Sequence, residues 1–470
     1  MSVESVKSPQ LRIERDSLGE MEIPADALYG SNTLRALQNF PFADRRLGDE
    51  TELVRALAEI KLACAEANRR LETIDPAQGD AIVAACRDMM DGQFDHDLRV
   101  PLLEGSGGTS TNMNVNEVLA NAALKRMGHS AGDYRFLHPN DQVNCGQSTN
   151  DVIPSAMKLA AYRLTQTAVD ALHRLADALA RKATGFADVY RLGRTCLQDA
   201  QPMTLGQAFE GYHAVIARAA DRLAGQQQCL LTLPLGGTAV GTGLGAQAGF
   251  RGLAFEQLRE QTGLPVSAPS NRFDAMQNLD EFQRLSAELE VAAAAMAKIA
   301  KDLILLSSGP AGGLAEIQLP AVQPGSSIMP GKVNPVMPMA VVQLSQIVHG
   351  NHACVVMACQ DGMLEINHYE HSLASRLFDS LHRLAETATA FAERCIDGIE
   401  ADADRSLLNL KQSFALATCL VPKLGYAEVS ALVKQSLRDN RAFLDLACDQ
   451  GLLDEAAIDD LIREVVSTDG

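Results

Sequence analysis

Apolar residues recur at helical spacing over three long stretches of the chain. In the clearest stretch the apolar positions alternate between steps of four and three residues, as in a helical-bundle seam: Leu285, Leu289, Ala292, Met296, Ile299, Leu303 and Leu306. Gly309 and Pro310 follow and predict the end of that helix. Similar spacing predicts helices over residues 157–179 and 209–223. Helices of this length, apolar on more than one face, indicate a central bundle that also packs against other subunits.

Strand-like alternation is scarce, with short candidates at residues 11–13 and 21–23. The pattern therefore predicts a mainly α protein with three regions. We expect an N-terminal, mostly helical domain at 1–147, a central helical-bundle domain at 148–397 and a small C-terminal helical domain at 398–470. The boundaries fall near the polar stretch 138–150 and near the acidic stretch 397–404, which interrupt the apolar pattern.

The composition narrows the classes of protein. The chain has 470 residues, 47% of them hydrophobic, which is enough for a large buried core. It has no apolar run of membrane-spanning length, and residues 1–16 lack the apolar core of a signal peptide, so we expect a cytoplasmic protein without a membrane span. A net charge of −18 argues against nucleic acid and anionic membranes as partners. A local basic site for an anionic substrate is compatible with it.

Ten cysteines are scattered along the chain without the spacing of a metal site. We therefore expect no bound metal. We interpret the cysteines as reduced thiols that mostly serve as small buried hydrophobes, with Cys196 as the exception.

The first loop with candidate chemistry covers residues 105–117. Glycines followed by hydroxyls and amides lead into a helix that we expect to begin near Asn116. Backbone N–H groups and the positive end of a helix attract a carboxylate, which makes this loop a candidate anion site. The alternative is a glycine-rich turn with a polar helix cap.

Two further polar stretches precede predicted helices. In the stretch 138–151, Ser148, Thr149 and Asn150 are consecutive donors, whereas a helix cap needs only one, so the three together favour a ligand. The stretch 193–204 presents a hydroxyl, a thiol and amides together. By itself it is typical of a polar segment leading into the next helix.

The fourth loop, residues 325–335, combines two hydroxyls, a lysine and an asparagine with two glycines and two prolines. Such a sequence cannot form a long regular element and is typical of a mobile catalytic lid. A dicarboxylate substrate needs cationic and N–H groups, and Lys332 with Asn334 supplies part of that need. In an exposed loop, Lys332 is otherwise an ordinary solvated charge.

Taken together and in this order, the four loops resemble the conserved regions of the aspartase/fumarase superfamily, whose members eliminate across a C–N or C–O bond and release fumarate. Residues 11–30 and 235–243 extend the likeness, which covers the chain from about residue 11 to about residue 465. The resemblance implies a mainly α, three-domain aspartase/fumarase-like fold with a central long-helix bundle assembled in a homotetramer. It also implies that each active site collects loops from three different chains.

The resemblance assigns roles position by position. Ser326 would be the general base that removes the proton next to the β-carboxylate of a small dicarboxylate substrate. Substrate binding would fall to Thr109, Ser148, Thr149, Asn150, Thr195, Cys196, Lys332 and Asn334. No cofactor is implied. Removing that proton builds a second negative charge on the carboxylate, so surrounding donors stabilise it. Serine becomes a base only where N–H groups or a cation stabilise its alkoxide.

The amino-acid sequence of several stretches resembles aspartases more than fumarases, for example at residues 117–121 and 197–200. Cys196 stands where hydratases of the family carry histidine and aspartases carry histidine or glutamine. Because a hydroxide needs a proton to leave whereas an ammonium leaves as neutral ammonia, the missing histidine favours an ammonia-lyase that converts L-aspartate into fumarate. Met339 replaces the family's usual glutamate, so a fumarase, or a lyase of another N-substituted succinyl substrate, stays open.

Other departures from the family pattern bear on a third hypothesis, a binding or structural protein that kept only the fold. Ala311 replaces a frequent arginine, and we interpret His368, Tyr369 and His371 as surface or interface residues. The presence of Ser326, Lys332 and Asn334 argues against the third hypothesis, because a protein that had lost its catalytic activity would not need these residues.

Overall fold

The computed structural model describes residues 10–42 and 45–466, and this part of the chain is mainly helical. The helices are α1 Ser31–Asn39, α2 Thr51–Arg70, α3 Pro76–Met90, α4 Thr109–Arg126, α5 Thr149–Gly185, α6 Leu205–Gln227, α7 Phe250–Thr262, α8 Arg272–Gln277, α9 Asp280–Leu306, α10 Val336–Gln360, α11 Glu370–Arg394, α12 Ala403–Gln412, α13 Ala417–Leu424, α14 Tyr426–Asp439, α15 Phe443–Asp449 and α16 Glu455–Val466. None of the helices in these ranges has the length and apolar content needed to cross a bilayer.

Within residues 10–42 and 45–466, six short strands form three antiparallel pairs. The strands are β1 Leu11–Asp16, β2 Gly19–Pro24, β3 Tyr190–Thr195, β4 Gln198–Thr204, β5 Ile317–Gln318 and β6 Glu400–Ala401. The first hairpin confirms the strand candidates near residues 11–13 and 21–23 and extends them.

All three predicted long helices are confirmed, and each extends beyond its predicted range as α5, α6 or α9. Every seam position of α9 from Leu285 to Leu306 is buried, and the helix ends just before Gly309. The apolar period therefore identified the inward face correctly. Helices α5 and α9 begin earlier than their apolar pattern because their first residues, Thr149 and Asp280, are polar and an apolar period cannot register them.

The described residues form two compact units. Unit 1 contains residues 10–42, 45–167, 222–289 and 348–382, and unit 2 contains 168–221, 290–347 and 383–466. The three-domain division predicted from the sequence stays a prediction.

In unit 1, α2 packs against α3 and α7, and α3 packs against α4. The polar side chains of α4 are buried and bind neighbouring loops. Asn114 donates to the Asp97 carbonyl at 2.9 Å, and Glu117 accepts the N–H groups of Gly30 and Asn32 at 2.8 Å. Glu117 thereby satisfies donors at the start of α1. These bonds fix α4, which carries the first candidate loop at its beginning.

In unit 2, a core of apolar side chains from the C-terminal helices includes Leu410, Leu416, Leu420 and Phe443. Leu192 of β3 is buried in the same core. The base of the β3–β4 hairpin is thus held by hydrophobic packing.

All ten cysteines are free thiols, as predicted. The expectation that most of them are buried is wrong, since only Cys64, Cys86 and Cys395 are. Cys196 is exposed, as its exceptional status predicted, and so is Cys229. The sequence pattern overestimated burial because cysteine counts as apolar in any helical period, including positions at the edge of the buried face.

Candidate active site

Helix α4 begins at Thr109, seven residues before the predicted start near Asn116. Gly108 precedes it with φ of +88°, in the left-handed region that favours glycine. The prediction failed because Asn112 and Asn116, which suggested a loop, are buried polar residues inside the helix.

The glycine-rich loop before α4 is filled by a carboxylate of the chain itself. Glu104 accepts the N–H groups of Ser106 and Gly108, the second at 3.1 Å, and Ser106 Oγ accepts the N–H of Ser110 at 2.7 Å. These N–H groups therefore do not form the open carboxylate site expected from the sequence. Thr109 stays a candidate through its side chain.

The second candidate loop lies at the start of α5 and is tied in on several sides. Ser148 N–H donates to Asp151 Oδ1 at 2.9 Å, and Asn150 Nδ2 donates to the Ala239 carbonyl at 2.8 Å. Thr149 Oγ1 accepts from Asn112 Nδ2 at 3.2 Å. Unit 1 thus brings the predicted residues 148–150 against α4, the helix that begins with Thr109. All three side chains are half-buried, within reach of both neighbours and solvent.

Beneath these loops lies Lys61, which the sequence analysis missed. Its side chain is fully buried, and Nζ donates to Asn144 Oδ1 at 3.0 Å. The same oxygen accepts from Asn112 and Asn116 at 3.2 and 3.3 Å. Burial lowers the pKa of Lys61 to about 8. The sequence pattern could have indicated this residue, because Lys61 lies on the same helical face as the buried Leu57. A lysine is unusual on a buried face.

Asp151 joins the second loop to the segment 235–243. Its Oδ2 accepts the N–H groups of Gly236 and Thr238, both at 2.9 Å. Burial raises the pKa of Asp151 to about 6, while these N–H bonds and Lys61 oppose the rise. The segment that contributed to the family resemblance is therefore an anchor for the second loop.

The interpretation of His371 as a surface or interface residue is wrong. The side chain is buried, and its Nε2 lies 2.8 Å from Thr111 Oγ1 on α4. Neighbouring His368 is half-exposed and Tyr369 is exposed. Nothing in the local sequence distinguishes the three, because their burial depends on α4, which is far away in the chain.

In unit 2, the stretch 193–204 leads directly into α6 at Leu205, as predicted, and it also forms most of the β3–β4 hairpin, which was not predicted. Thr195 and Cys196 lie exposed at its tip, and the two turn residues Cys196 and Leu197 have φ of +52° and +61°. Two-residue hairpin turns with positive φ at both positions usually use asparagine and glycine. A cysteine and a leucine in that turn gave no sequence signal, and their backbone is strained.

Buried ion pairs hold the hairpin from behind. Arg191 and Arg194 of β3 bind the two oxygens of Glu316 at 2.9 and 2.8 Å. Asn409 of α12 adds a bond to Glu316 at 3.2 Å. This anchoring fixes the direction in which Thr195 and Cys196 project.

The fourth loop has no helix or strand, as predicted, and it closes on itself. Gly325 N–H donates to the Lys332 carbonyl at 2.8 Å, and Asn334 Nδ2 donates to the Gly325 carbonyl at 2.6 Å. A Cβ at Gly325 would lie 2.6 Å from the Lys332 oxygen, so glycine is required there. Asn334 therefore has a structural bond in addition to its predicted role with substrate.

Within this loop, Ser326 Oγ accepts two backbone N–H groups, from Ile328 at 3.2 Å and from Met329 at 3.0 Å. Two N–H groups directed at one oxygen stabilise negative charge on it. Ser326 is half-buried, whereas Lys332 on the same loop is exposed. The arrangement can lower the cost of converting the hydroxyl into an alkoxide.

Comparison with known proteins places the chain in a family. The family described as Lyase matches residues 19–350. The aspartate ammonia-lyase of Pseudomonas aeruginosa is 43% identical over 452 residues, covering 96% of this chain and 95% of that protein.

Solved structures agree in fold. A fumarate lyase:delta crystallin from Brucella melitensis bound to cobalt has a TM-score of 0.94 at 43% identity, covering 97% of this chain and 99% of that one. A class II fumarase from Schistosoma mansoni has a TM-score of 0.88 at 34% identity, covering 96% and 98%. The resemblance inferred from the four loops is confirmed: the chain belongs to the aspartase/fumarase superfamily of lyases.

Proposed function

We propose that the protein is an aspartate ammonia-lyase, which eliminates ammonia from L-aspartate to give fumarate. Ser326 removes the proton from the carbon next to the β-carboxylate. The electron pair of that C–H bond forms the carbon–carbon double bond as the C–N bond breaks and ammonia leaves. The serine proton then passes to solvent. The elimination as written needs no cofactor.

The two N–H bonds to Ser326 Oγ carry this proposal. A hydroxyl is a weak base, and its alkoxide needs donors placed on the oxygen. The N–H groups of Ile328 and Met329 supply them at 3.2 and 3.0 Å. They are available because the loop is closed by its own bonds and leaves the serine half-buried.

We group the proposed substrate contacts by the part of the substrate that they bind. Hydroxyls and amides of Thr109, Ser148, Thr149 and Asn150 hold one end of the dianion, and Lys332 with Asn334 holds a carboxylate. Thr195 and Cys196 face the leaving group. An ammonium needs no proton on departure, so a thiol at Cys196 is compatible with loss of ammonia.

The first test offers L-aspartate and L-malate separately to purified protein and follows fumarate by ultraviolet absorbance. Turnover of aspartate alone is the expected result. Turnover of malate alone would overturn the ammonia-lyase assignment and show that a hydratase works without the histidine. If neither reacts, the aspartate assignment is also wrong, and N-substituted aspartates are the next panel.

The alternative is a fumarate hydratase or a lyase of another N-substituted succinyl substrate. The observation that favours it is the pair Cys196 and Met339, both exposed and both different from the family's usual residues. An uncharged, sulfur-containing side of the pocket suits a larger or less polar leaving group than ammonia.

We further propose a homotetramer in which each active site takes loops from three chains. Large apolar side chains are exposed on the long helices α9 and α10, which is typical of surfaces buried by association. They are Val291, Leu305, Met339, Ile347 and Met357. Light scattering after size exclusion is expected to give four times the chain mass. A monomer that turns over aspartate would refute it.

Shared sites have a sharper test in mixed oligomers. Ser326→Ala and Thr149→Ala proteins, each inactive alone, are unfolded together and reassembled. If the two residues of one site come from different chains, about a quarter of the sites regain both side chains in a random mixture. If they come from one chain, no activity returns. Each variant reassembled alone is the control.

The three-domain division at 1–147, 148–397 and 398–470 and a cytoplasmic location complete the proposal. The ten free thiols support a reducing compartment. We propose no nucleic acid or membrane partner.

A further inference from the structure

His371 joins the first turn of α11 to the loop that precedes α4. Its side chain is 3% exposed, and that of Glu104 is fully buried. His371 Nε2 lies 2.8 Å from Thr111 Oγ1 and 3.4 Å from Glu104 Oε1. One imidazole nitrogen therefore contacts both the helix and the carboxylate that fills the glycine-rich loop.

The geometry defines which nitrogen carries the proton. Burial lowers the pKa of His371, against the opposing effect of Glu104, so the ring is neutral at neutral pH. Burial and the nearby Glu104 raise the pKa of Glu370 well above its ordinary value, which favours its protonated form. Both oxygens of Glu104 accept backbone N–H groups, so a bare Nε2 beside Oε1 would bring two lone pairs together, and Nε2 is therefore the protonated nitrogen.

The neighbouring glycine transmits this contact to the proposed binding residues. A Cβ built on Gly108 would lie 3.3 Å from His371 Cε1 and 3.1 Å from both Thr149 Cγ2 and Ile153 Cγ1. Gly108 is thus enclosed between the histidine and the start of α5. Thr109 follows it directly in the chain, so the position of the imidazole sets the spacing between Thr109 and Thr149.

We propose that His371 is a positioning residue of the substrate-binding loop. Its Nε2–H is bonded to Thr111 and lies against Glu104, and Glu104 in turn orders the backbone of residues 106–108 through two N–H bonds. The imidazole does not touch substrate in this proposal. It fixes Thr109 against Thr149, and the inference rests on the proposed function in which these two threonines bind the substrate.

The test compares side chains that differ in where they place a donor. In His371→Gln the amide reaches the position of Nε2, whereas in His371→Asn it reaches only that of Nδ1, and His371→Leu has no donor. Because the loop contributes binding in both the ground state and the transition state, we expect a rise in KM for L-aspartate of about tenfold in the Asn and Leu proteins, with kcat changed less than about threefold. The Gln protein is expected to keep a KM close to that of the wild type.

His382→Gln is the matched control. It lies on the same helix and also pairs with a buried glutamate, since His382 Nε2 is 3.2 Å from Glu50 Oε2, but it is distant in sequence from the loop contacts. We expect it to leave KM unchanged.

A second measurement does not depend on turnover. Hydrogen exchange of peptides that cover residues 104–112 is expected to accelerate in the Asn and Leu proteins and not in the Gln or His382 proteins. A faster exchange throughout unit 1 would show a merely structural role and overturn the proposal, as would an unchanged KM with unchanged exchange. If the wild-type protein does not turn over aspartate, the proposed function fails, whereas the exchange pattern still decides whether His371 orders the loop.

Discussion

Asp151 Oδ2 accepts the backbone N–H of Thr238 at 2.9 Å and holds this buried threonine at φ of +54°. A β-branched residue in the left-handed region is strained, so it persists only where neighbours fix it. The carboxylate also accepts the N–H groups of Gly236 and Ser148. One buried acid therefore holds two loops against each other beside the proposed substrate contacts.

Asp151→Asn should loosen both loops. An amide offers one acceptor oxygen in place of two, so its NH₂ group meets a backbone N–H that the carboxylate had satisfied. We expect a loss of about 1–3 kcal/mol in the free energy of unfolding. Denaturant unfolding measures it, with Asp170→Asn on the distal part of α5 as the control. Equal stability of the Asp151 variant and the wild type would show that the clamp contributes nothing.

A pH dependence follows from the buried Lys61, whose Nζ donates to Asn144 Oδ1 at 3.0 Å. Burial lowers the pKa of Lys61 to about 8 in the folded protein, from an ordinary value of 10.5 that we take for the unfolded chain. The unfolded chain therefore binds more protons between these values, and stability rises with pH in that window. Below pH 8 the buried ammonium lowers the free energy of unfolding by its full amount, which is about 3 kcal/mol for a pKa lowered from 10.5 to about 8.

Lys61→Met removes the titration. The free energy of unfolding of the wild type minus that of the variant is expected to be constant below about pH 8 and to rise by about 3 kcal/mol towards pH 10.5. Urea unfolding of both proteins across this range measures the difference, in which the titrations of groups that do not interact with Lys61 cancel. A flat difference would mean that Lys61 keeps an ordinary pKa.

The sequence predicted those parts of the fold and of the candidate site that depend on local sequence patterns. The long helices were predictable because positions such as Leu285 and Met296 repeat with the helical period and lie on the buried face. The irregular fourth loop was predictable because Gly325 and Pro335 exclude regular structure. Both signals are local in the chain.

The remaining features depend on contacts between distant segments. The β3–β4 hairpin was missed because its turn uses Cys196 and Leu197 in place of residues that favour positive φ. The start of α4 was missed because buried asparagines hide the helical period. His371 was misassigned because its partners, Thr111 and Glu104, are more than 250 residues away in the chain. The candidate site was thus identified residue by residue, while its internal bonding was not.

Ser326→Ala tests the proposed base. Without the hydroxyl no side chain remains between the two N–H groups of Ile328 and Met329, so we expect kcat to fall by about a thousandfold or more with KM within about threefold. Ser327→Ala, the adjacent hydroxyl, is the matched control and is expected to stay within about threefold of the wild type. Initial rates of fumarate formation and the oligomer mass are measured for both. A Ser326→Ala protein that retains most of its turnover refutes the assignment.

The strained turn of the β3–β4 hairpin carries Cys196, which we propose faces the leaving group. Cys196 is exposed at φ of +52° at the tip of a hairpin that Glu316 anchors, so a new side chain there projects in the same direction. Cys196→His combined with Met339→Glu restores the two residue types that the family resemblance pairs at these positions, and an imidazole supplies the proton that a departing hydroxide requires. We expect the rate of fumarate formation from L-malate to rise by about tenfold or more over the wild type, and less in either single variant. Equal rates in all four proteins would show that these two positions do not select the leaving group.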